Sequence, residues 1–538
     1  MSKRAVIFGL DGATFTVLDH LIQHGALPTF QRVFGGGTRG ILESSIPPLT
    51  PPAWTSLVTG RTPANHGIFN FLQYESKDSS FVRMVTSRAI RTETLWSMVN
   101  RHGVRACALN FVVHNPAPKI DGCCIPGWVP WRWVKTQSHP KGIIDTLRRT
   151  IPGFDVKEMA MNFSEEEKAI SGTFHEDYEQ WIDLHIRREK QWFSAWKHCL
   201  EHEPAGLYAI VFDGVDKLQH LCWPFLDPAY APRQRDEKYE RVRERCWDYF
   251  RLVDDFLRQT LEIVGPETHV FIASDHGFTG THEILYINNW LEKQGYLTWA
   301  EGTPIEEDES HELGAVRPIQ RRGFNFVHTR AYASFASCNG VFIPIRGERG
   351  REGVAPEDYR RVRDQLADDL LHKCAHPETR EPLVTRVWTR EQAFPGAEGN
   401  ANAPDLTLEL RDKGNVSVLR ASTWYKPRQQ IMGCHHPDGI FGAIGPGIRA
   451  GTQAERLRLI DIAPTVLYAL GLPIPSDLEG RVATGVFSQE YRDANPVRSG
   501  EPTQPVNARD AGTGGEGDSG GEEDPQVLMR LKALGYIE

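Results

Sequence analysis

Chemistry in this sequence starts from one threonine. Thr50 is boxed in by Pro48, Pro51 and Pro52. Prolines fix φ and remove backbone donors, so the segment reads as a stiff turn, neither ordinary helix nor central strand. An apolar stretch with Trp54, Leu57 and Val58 follows, punctuated by Gly60, Pro63 and Gly67. A rigid, exposed hydroxyl at the mouth of a buried helix can serve as a nucleophile. Taken alone, Thr50 reads better as an ordinary turn threonine, because short motifs match by chance. The residues elsewhere in the chain shift that balance.

Three apolar runs that read as buried strands end in aspartate. Ala5 to Leu10 ends at Asp11, Leu207 to Phe212 at Asp213 with Asp216 close behind, and His269 to Ser274 at Asp275. In a parallel α/β sheet, ligands sit beyond the carboxyl ends of the strands. Four carboxylates gathered on one such edge would repel one another without a cation, so a metal is implied. The histidines add nitrogen ligands. Asp216 and His220 are four residues apart and share a helix face. Asp275 and His276 are adjacent at a strand end, and His435 lies in a glycine-flanked turn before another strand. Oxygen and imidazole ligands suit zinc, with manganese second. Each piece also has a plain reading as a turn, a solvated helix face or a loop; jointly, at successive strand ends, they favour the metal.

Those elements belong to a chain of alternating strands and helices. That pattern predicts an α/β fold, a three-layer sandwich with a mainly parallel sheet and a cap insertion. Helices are expected over Thr16 to His24, Thr94 to Arg101, Asp177 to Cys199 and about Arg233 to Val264. Further strands are expected at Ile41 to Ile46, as an edge, and at Val104 to Val113. The catalytic core is expected in two parts, 1–298, with a loop-rich insertion at about 127–175, and 403–492. Between them, 299–402 is polar, carries the acidic run Glu306 to Glu309 and one strong helix pattern at Glu357 to Cys374, and reads as a cap. Residues 493–525 read as a disordered linker and 526–538 as a terminal helix that docks back.

Composition bounds the rest. The 538 residues are 40% hydrophobic and 24% charged, ordinary for a globular protein too long for one simple core. A net charge of -9 and a pI near 6.1 argue against a nucleic-acid polymer as partner. No run approaches the ~18 apolar residues of a membrane helix, and the N-terminal apolar run is too short for a signal peptide. Nine scattered cysteines without a CxxC pair fit a reduced, cytoplasmic chain.

With these motifs in place, the chain resembles the alkaline phosphatase superfamily, most closely its nucleotide pyrophosphatase and phosphodiesterase branch. The resemblance rests on FGLDG at Phe8 to Gly12, LTPPAWTSLVTGRTPANHGI from Leu49, DGVDKLQH at Asp213 to His220, SDHG at Ser274 to Gly277 and GCHHPDGIF from Gly433. DIAPTVLYALGLPIPSDLEGR from Asp461 and the closing RLKALGY belong to it too, and the order of the motifs is the family's.

The resemblance implies two divalent ions. Asp216, His220 and His435 would hold one; Asp11, Asp275 and His276, with the oxygen of Thr50, the other. Metal coordination would lower the pKa of the Thr50 hydroxyl, which would attack phosphorus in line and form a phospho-threonine intermediate. The substrate class implied is a small phosphate ester or nucleotide. Ala53, three residues past Thr50, offers no polar group to the phosphoryl oxygens, so their donors are unassigned; backbone N–H groups after Thr50 are candidates, although Pro51 and Pro52 supply none. His436 competes with His435 and is set aside by motif position, and His66 is given a structural role. A sulfatase would need Cys or Ser at position 50 and Arg four residues on, where Thr50 and Trp54 stand. The alternatives are a phosphomonoesterase or metal-dependent phosphomutase of the same superfamily and, outside enzymes, a degenerate phosphoryl-binding protein.

Overall fold

The computed structural model describes residues 3–74, 82–173, 177–305, 323–348 and 351–504. Its centre is one large sheet. We label β1 Arg4–Leu10, β2 Thr38–Glu43, β3 Ala106–Leu109, β4 Gly122–Ile125, β5 Leu207–Phe212, β6 Thr268–Ala273, β7 Gly277–Leu285, β8 Tyr425–His436 and β9 Asp438–Ile444. The sheet order is β2-β9-β6-β1-β5-β3-β4, with the short strands Thr452–Gln453 and Leu457–Arg458 both pairing with β2. β1 pairs in parallel with β5 and β6, and β3 in parallel with β4 and β5. β9 is antiparallel to both its neighbours. This is the mainly parallel α/β architecture expected of the alkaline phosphatase-like fold. β1, β5 and β6 are buried almost throughout, which is why they read as continuous apolar runs rather than alternating ones.

Helices pack on this sheet in two groups. The long helices Glu179–His202 and Glu237–Val264 pack on each other, and the helix Thr50–Thr59 packs on Ile462–Ala469. Three local expectations change. Thr50 does not sit in a stiff turn but is the first residue of a helix, with Pro51 and Pro52 in its first turn. Proline is tolerated there because the first N–H groups have no intrahelical acceptor to lose. The helix ends at Gly60, whose φ of 64° closes it with an N–H bond to Ser56 O. All ten of its residues are buried, and Trp54 is 1% exposed, so truncating Trp54 to Ala would cost about 3–5 kcal/mol. The strand read at Ile41 to Ile46 is β2, paired on both sides rather than an edge. The strand read at Val104 to Val113 is only four residues long, because Asn110 turns left-handed at φ 62°.

Residues 127–175 carry four helices: Trp131–Gln137, Ile143–Thr150, Val156–Met159 and Phe163–Thr173. A separate three-stranded antiparallel sheet joins Gly340–Val341, Leu406–Leu410 and Val384–Thr389, with the helix Tyr359–Lys373 against it. Part of the expected linker is ordered. Gln489–Ala494 is helical, Ser499–Gly500 pairs with Ile474–Pro475, and Thr503 bonds Asp477. The acidic run Glu306 to Glu309, the rest of the linker and the terminal helix at 526–538 lie outside the described residues. Among the described residues, no helix is long and apolar enough to cross a membrane.

Candidate metal centre and active site

The carboxyl ends of the three central strands deliver the acids. Asp11 follows β1, Asp213 follows β5 and Asp275 follows β6, on three adjacent strands. Gly12 adopts φ 67°, and its N–H donates to Asp275 Oδ1 at 3.0 Å. A Cβ there would lie 2.8 Å from the Phe278 ring, so glycine is required on both counts. Asp216 and His220 lie on the helix Gly214–Leu226, which starts directly after β5. His276 precedes β7. β8 runs antiparallel to β7, with His435 opposite Phe278. That pairing brings a residue from late in the chain onto the same edge.

The side chains converge. His435 Nε2 lies 3.2 Å from both Asp216 Oδ1 and His220 Nε2, and His220 Nε2 is 3.4 Å from the same oxygen. His276 Nε2 is 3.2 Å from Asp275 Oδ2, 3.5 Å from Asp11 Oδ1 and 3.3 Å from Thr50 Oγ1. It is also 4.0 Å from Asp216 Oδ1, so the two groups adjoin, and the rings of His276 and His435 stack at 3.7 Å. All seven expected residues are therefore within one buried cluster. Thr50, Asp11, Asp216, Asp275 and His276 are 0% exposed. The hydroxyl is thus not an exposed one; it faces the cluster. His436 takes no part in it, and its Nδ1 accepts from Asp438 N instead. His66 is buried between Ser56 Oγ and the Ile68 N–H, and burial lowers its pKa to about 3.

Each histidine is set up in the same way. Nδ1–H of His435 donates to Pro48 O at 2.8 Å, that of His220 to Gly433 O at 3.1 Å and that of His276 to Gly277 O at 3.1 Å. A backbone carbonyl fixes the tautomer, so each Nε2 turns its lone pair into the cluster, as metal-binding histidines do. Burial first, and the neighbouring His435 second, holds His276 well below its ordinary pKa. Burial also lowers His435. The lowered values of His276 and His435 favour their neutral, ligating form.

The acids respond oppositely. Burial, then the charges of Asp275 and Asp216, pushes Asp11 well above the usual carboxylate range. Burial first, and the charge of Asp216 after it, also raise Asp275 well above that range, against the Gly12 N–H and Asp11, which lower it. Burial opposes the ionisation of Asp216 as well, but Lys217 and His220 outweigh it and hold that carboxyl well below the usual range. Both oxygens of Asp11 and Oδ2 of Asp275 are buried without a hydrogen-bond partner. Buried carboxyl oxygens that meet no hydrogen-bond donor and face imidazole lone pairs are a set of electron-pair ligands that divalent cations fit. The ligand atoms of Asp11, Asp275 and His276 lie within 4.8 Å of one another, as do those of Asp216, His276 and His435.

Two residues at the site carry no signal that the sequence reading uses. Asn110 Nδ2 donates to Val211 O and, at 3.0 Å, to Asp213 Oδ1, which ties β3 to the end of β5. Its left-handed backbone is invisible to periodicity. Lys217 is fully buried beside Asp216; a lysine on a helix with no exposed face was the available signal. The backbone donors considered after Thr50 shrink to its own N–H, because Ala53 N already bonds Leu49 O.

Comparison with known proteins gives the same class. Residues 5–438 match the family described as type I phosphodiesterase / nucleotide pyrophosphatase. Among solved structures, phosphonoacetate hydrolase from Sinorhizobium meliloti 1021, in complex with phosphonoformate, superposes with a TM-score of 0.54 at 17% identity, over 87% of this chain and 95% of that one. The same enzyme in complex with phosphonoacetate gives 0.53 over the same shares. At that identity the likeness shows the fold alone. Human arylsulfatase K is 28% identical over 98 residues, a stretch spanning 18% of this chain and 18% of that protein. The mainly parallel α/β fold is thus shared with phosphonoacetate hydrolase, and the family match over most of the chain places this protein in the type I phosphodiesterase / nucleotide pyrophosphatase family.

Proposed function

We propose that the protein hydrolyses small phosphodiesters, nucleotide-type esters included, through a covalent phospho-threonine on Thr50. The observation that carries this reading is the shared orientation of three imidazoles, each with Nδ1–H on a backbone carbonyl and Nε2 in a cluster with Asp11, Asp216, Asp275 and the Thr50 hydroxyl. Asp216, His220 and His435 would hold one divalent ion, and Asp11, Asp275 and His276, with Thr50 Oγ1, the other; zinc suits the donor set best and manganese second. When bound, the ions supply positive charge that lowers the pKa of the hydroxyl and neutralises the developing charge on the apical oxygens.

The chain's own residues do the rest. Thr50 Oγ1 forms the bond to phosphorus while the ester P–O bond breaks and the alcohol leaves. Water then attacks the phospho-threonine and returns the hydroxyl. The first turn of the Thr50 helix, fixed by Pro51 and Pro52, holds Oγ1 so that the attack costs little orientation. The cytoplasmic assignment rests on nine cysteines that are all buried free thiols. The deciding assay is a panel of diesters and monoesters with zinc-loaded protein. Faster release from diesters supports the reading, and turnover confined to monoesters would replace it with a phosphomonoesterase.

A further inference from the structure

Lys217 follows Asp216 directly on the same helix, where consecutive side chains normally diverge. Here its Nζ returns to Asp216 Oδ2 at 2.9 Å, with both side chains 0% exposed. The Trp128 ring lies 3.8 Å from the ammonium, and Trp128 itself holds a left-handed backbone at φ 61°. Strain of that kind in a non-glycine residue persists where the surroundings impose it, most often beside a site. Trp181 Nε1 donates to Lys217 O at 3.0 Å and fixes the backbone as well. The ammonium is fully buried.

We propose that Lys217 is a built-in counter-ion for Asp216 and a positioning residue for the metal centre. It holds Oδ2, while Oδ1 is turned to His220 and His435. It also supplies positive charge to a pocket holding Asp11, Asp216 and Asp275 while no cation is bound. A buried charge is costly unless paired, and removing one partner of a buried pair leaves the other uncompensated. Bound metal would supply the same compensation. Lys217 therefore matters more to the metal-free fold than to the loaded one. The inference rests on the proposed metal role of Asp216.

The test uses the full chain with Lys217→Met, which keeps an unbranched stem and removes the charge, melted after stripping with a chelator and again with zinc. The metal-free variant should melt several degrees below the metal-free parent and the zinc-loaded variant much closer to its parent, so the zinc-induced shift grows. In an Asp216→Asn background, metal-free, the same substitution should cost far less. Equal losses with and without zinc, or in both backgrounds, overturn the inference and leave Lys217 a packing residue. A parent that gains nothing from zinc refutes the metal reading instead, and the metal-free comparison with Asp216→Asn still decides the counter-ion. If Lys217→Met folds only with zinc, the inference stands; if the double variant cannot fold either, it falls.

Discussion

Replacing Thr50 tests the mechanism most directly. The residue is 0% exposed, and its Oγ1 lies 3.3 Å from His276 Nε2. Thr50→Ala removes one hydroxyl and one methyl. The lost methyl costs about 1 kcal/mol of burial, partly offset because a hydroxyl no longer leaves water. In a chain this long that is a shift of no more than a few degrees in melting temperature. The metal ligands Asp11, Asp275 and His276 remain, so metal content should stay close to the parent's. Turnover should fall at least ~10³-fold, because no other hydroxyl takes the nucleophile's place; that is about 4 kcal/mol of barrier. Thr50→Ser keeps the oxygen but frees χ1, so it should retain activity reduced ~10- to 100-fold by looser positioning. Steady-state rates on one diester, metal analysis and melting curves on the same preparations give every quantity needed. Acid quenching during turnover should trap phosphorus on Thr50 in the parent and on the introduced hydroxyl in the Thr50→Ser variant. A Thr50→Ala protein that is folded, metal-loaded and as fast as the parent would refute covalent catalysis here.

Three further outcomes are expected. Zinc-reconstituted protein should hold about two ions per chain by elemental analysis and lose both activity and several degrees of thermal stability to a chelator, since a ligand bound only by the native state stabilises it; trace metal only would refute the site. Glu189 is buried, accepts from Gly214 N and Tyr249 Oη, and is pushed by burial, then by Asp213, from 4.5 to about 8. A raised carboxyl pKa means the native state binds the proton more tightly, so its contribution to stability is present below about pH 4.5 and lost as pH rises toward about 8; Glu189→Gln should flatten the melting temperature over that window, and an unchanged slope would locate the dependence elsewhere. Gly12→Ala should destabilise by about 1–3 kcal/mol, from a left-handed alanine and a Cβ against Phe278, read by chemical denaturation; a neutral result would show that the β1 turn can relax.

How much was legible in the sequence follows from which residues carried local signals. Asp11, Asp213 and Asp275 were readable because each ends an unbroken apolar run, the mark of a strand buried on both faces. Asp216 and His220 were readable from helical spacing. The Thr50 helix was misread because prolines look like breakers unless they fall in a first turn, and only the structure shows where that turn starts. The shortness of β3 depends on a left-handed asparagine that no periodicity reveals. Lys217 carries no local signal, because a lysine beside an aspartate reads as a solvated pair until the whole helix proves buried. The strand at Asp405 to Leu410 is legible as a strand, but its partners are not, since Leu406 pairs with Val341 and Thr389 rather than with the large sheet.

The strand pairing that seats His435 also sets when the centre can exist during folding. Asp11 and His435 stand at opposite ends of the matched region, and only Pro437 separates β8 from β9 in the large sheet. His435 is fixed once β8 has paired with β7, and one residue on, β9 closes against β6 and β2. Contacts of such long sequence separation form late and slowly, because loop closure must come before they can reward it. A nascent or partly folded chain could gather Asp11, Asp216 and His220 but would lack the last imidazole. Tight metal capture would then mark completion of the fold, and a chain stalled before β8 and β9 dock would be both metal-poor and open along β6.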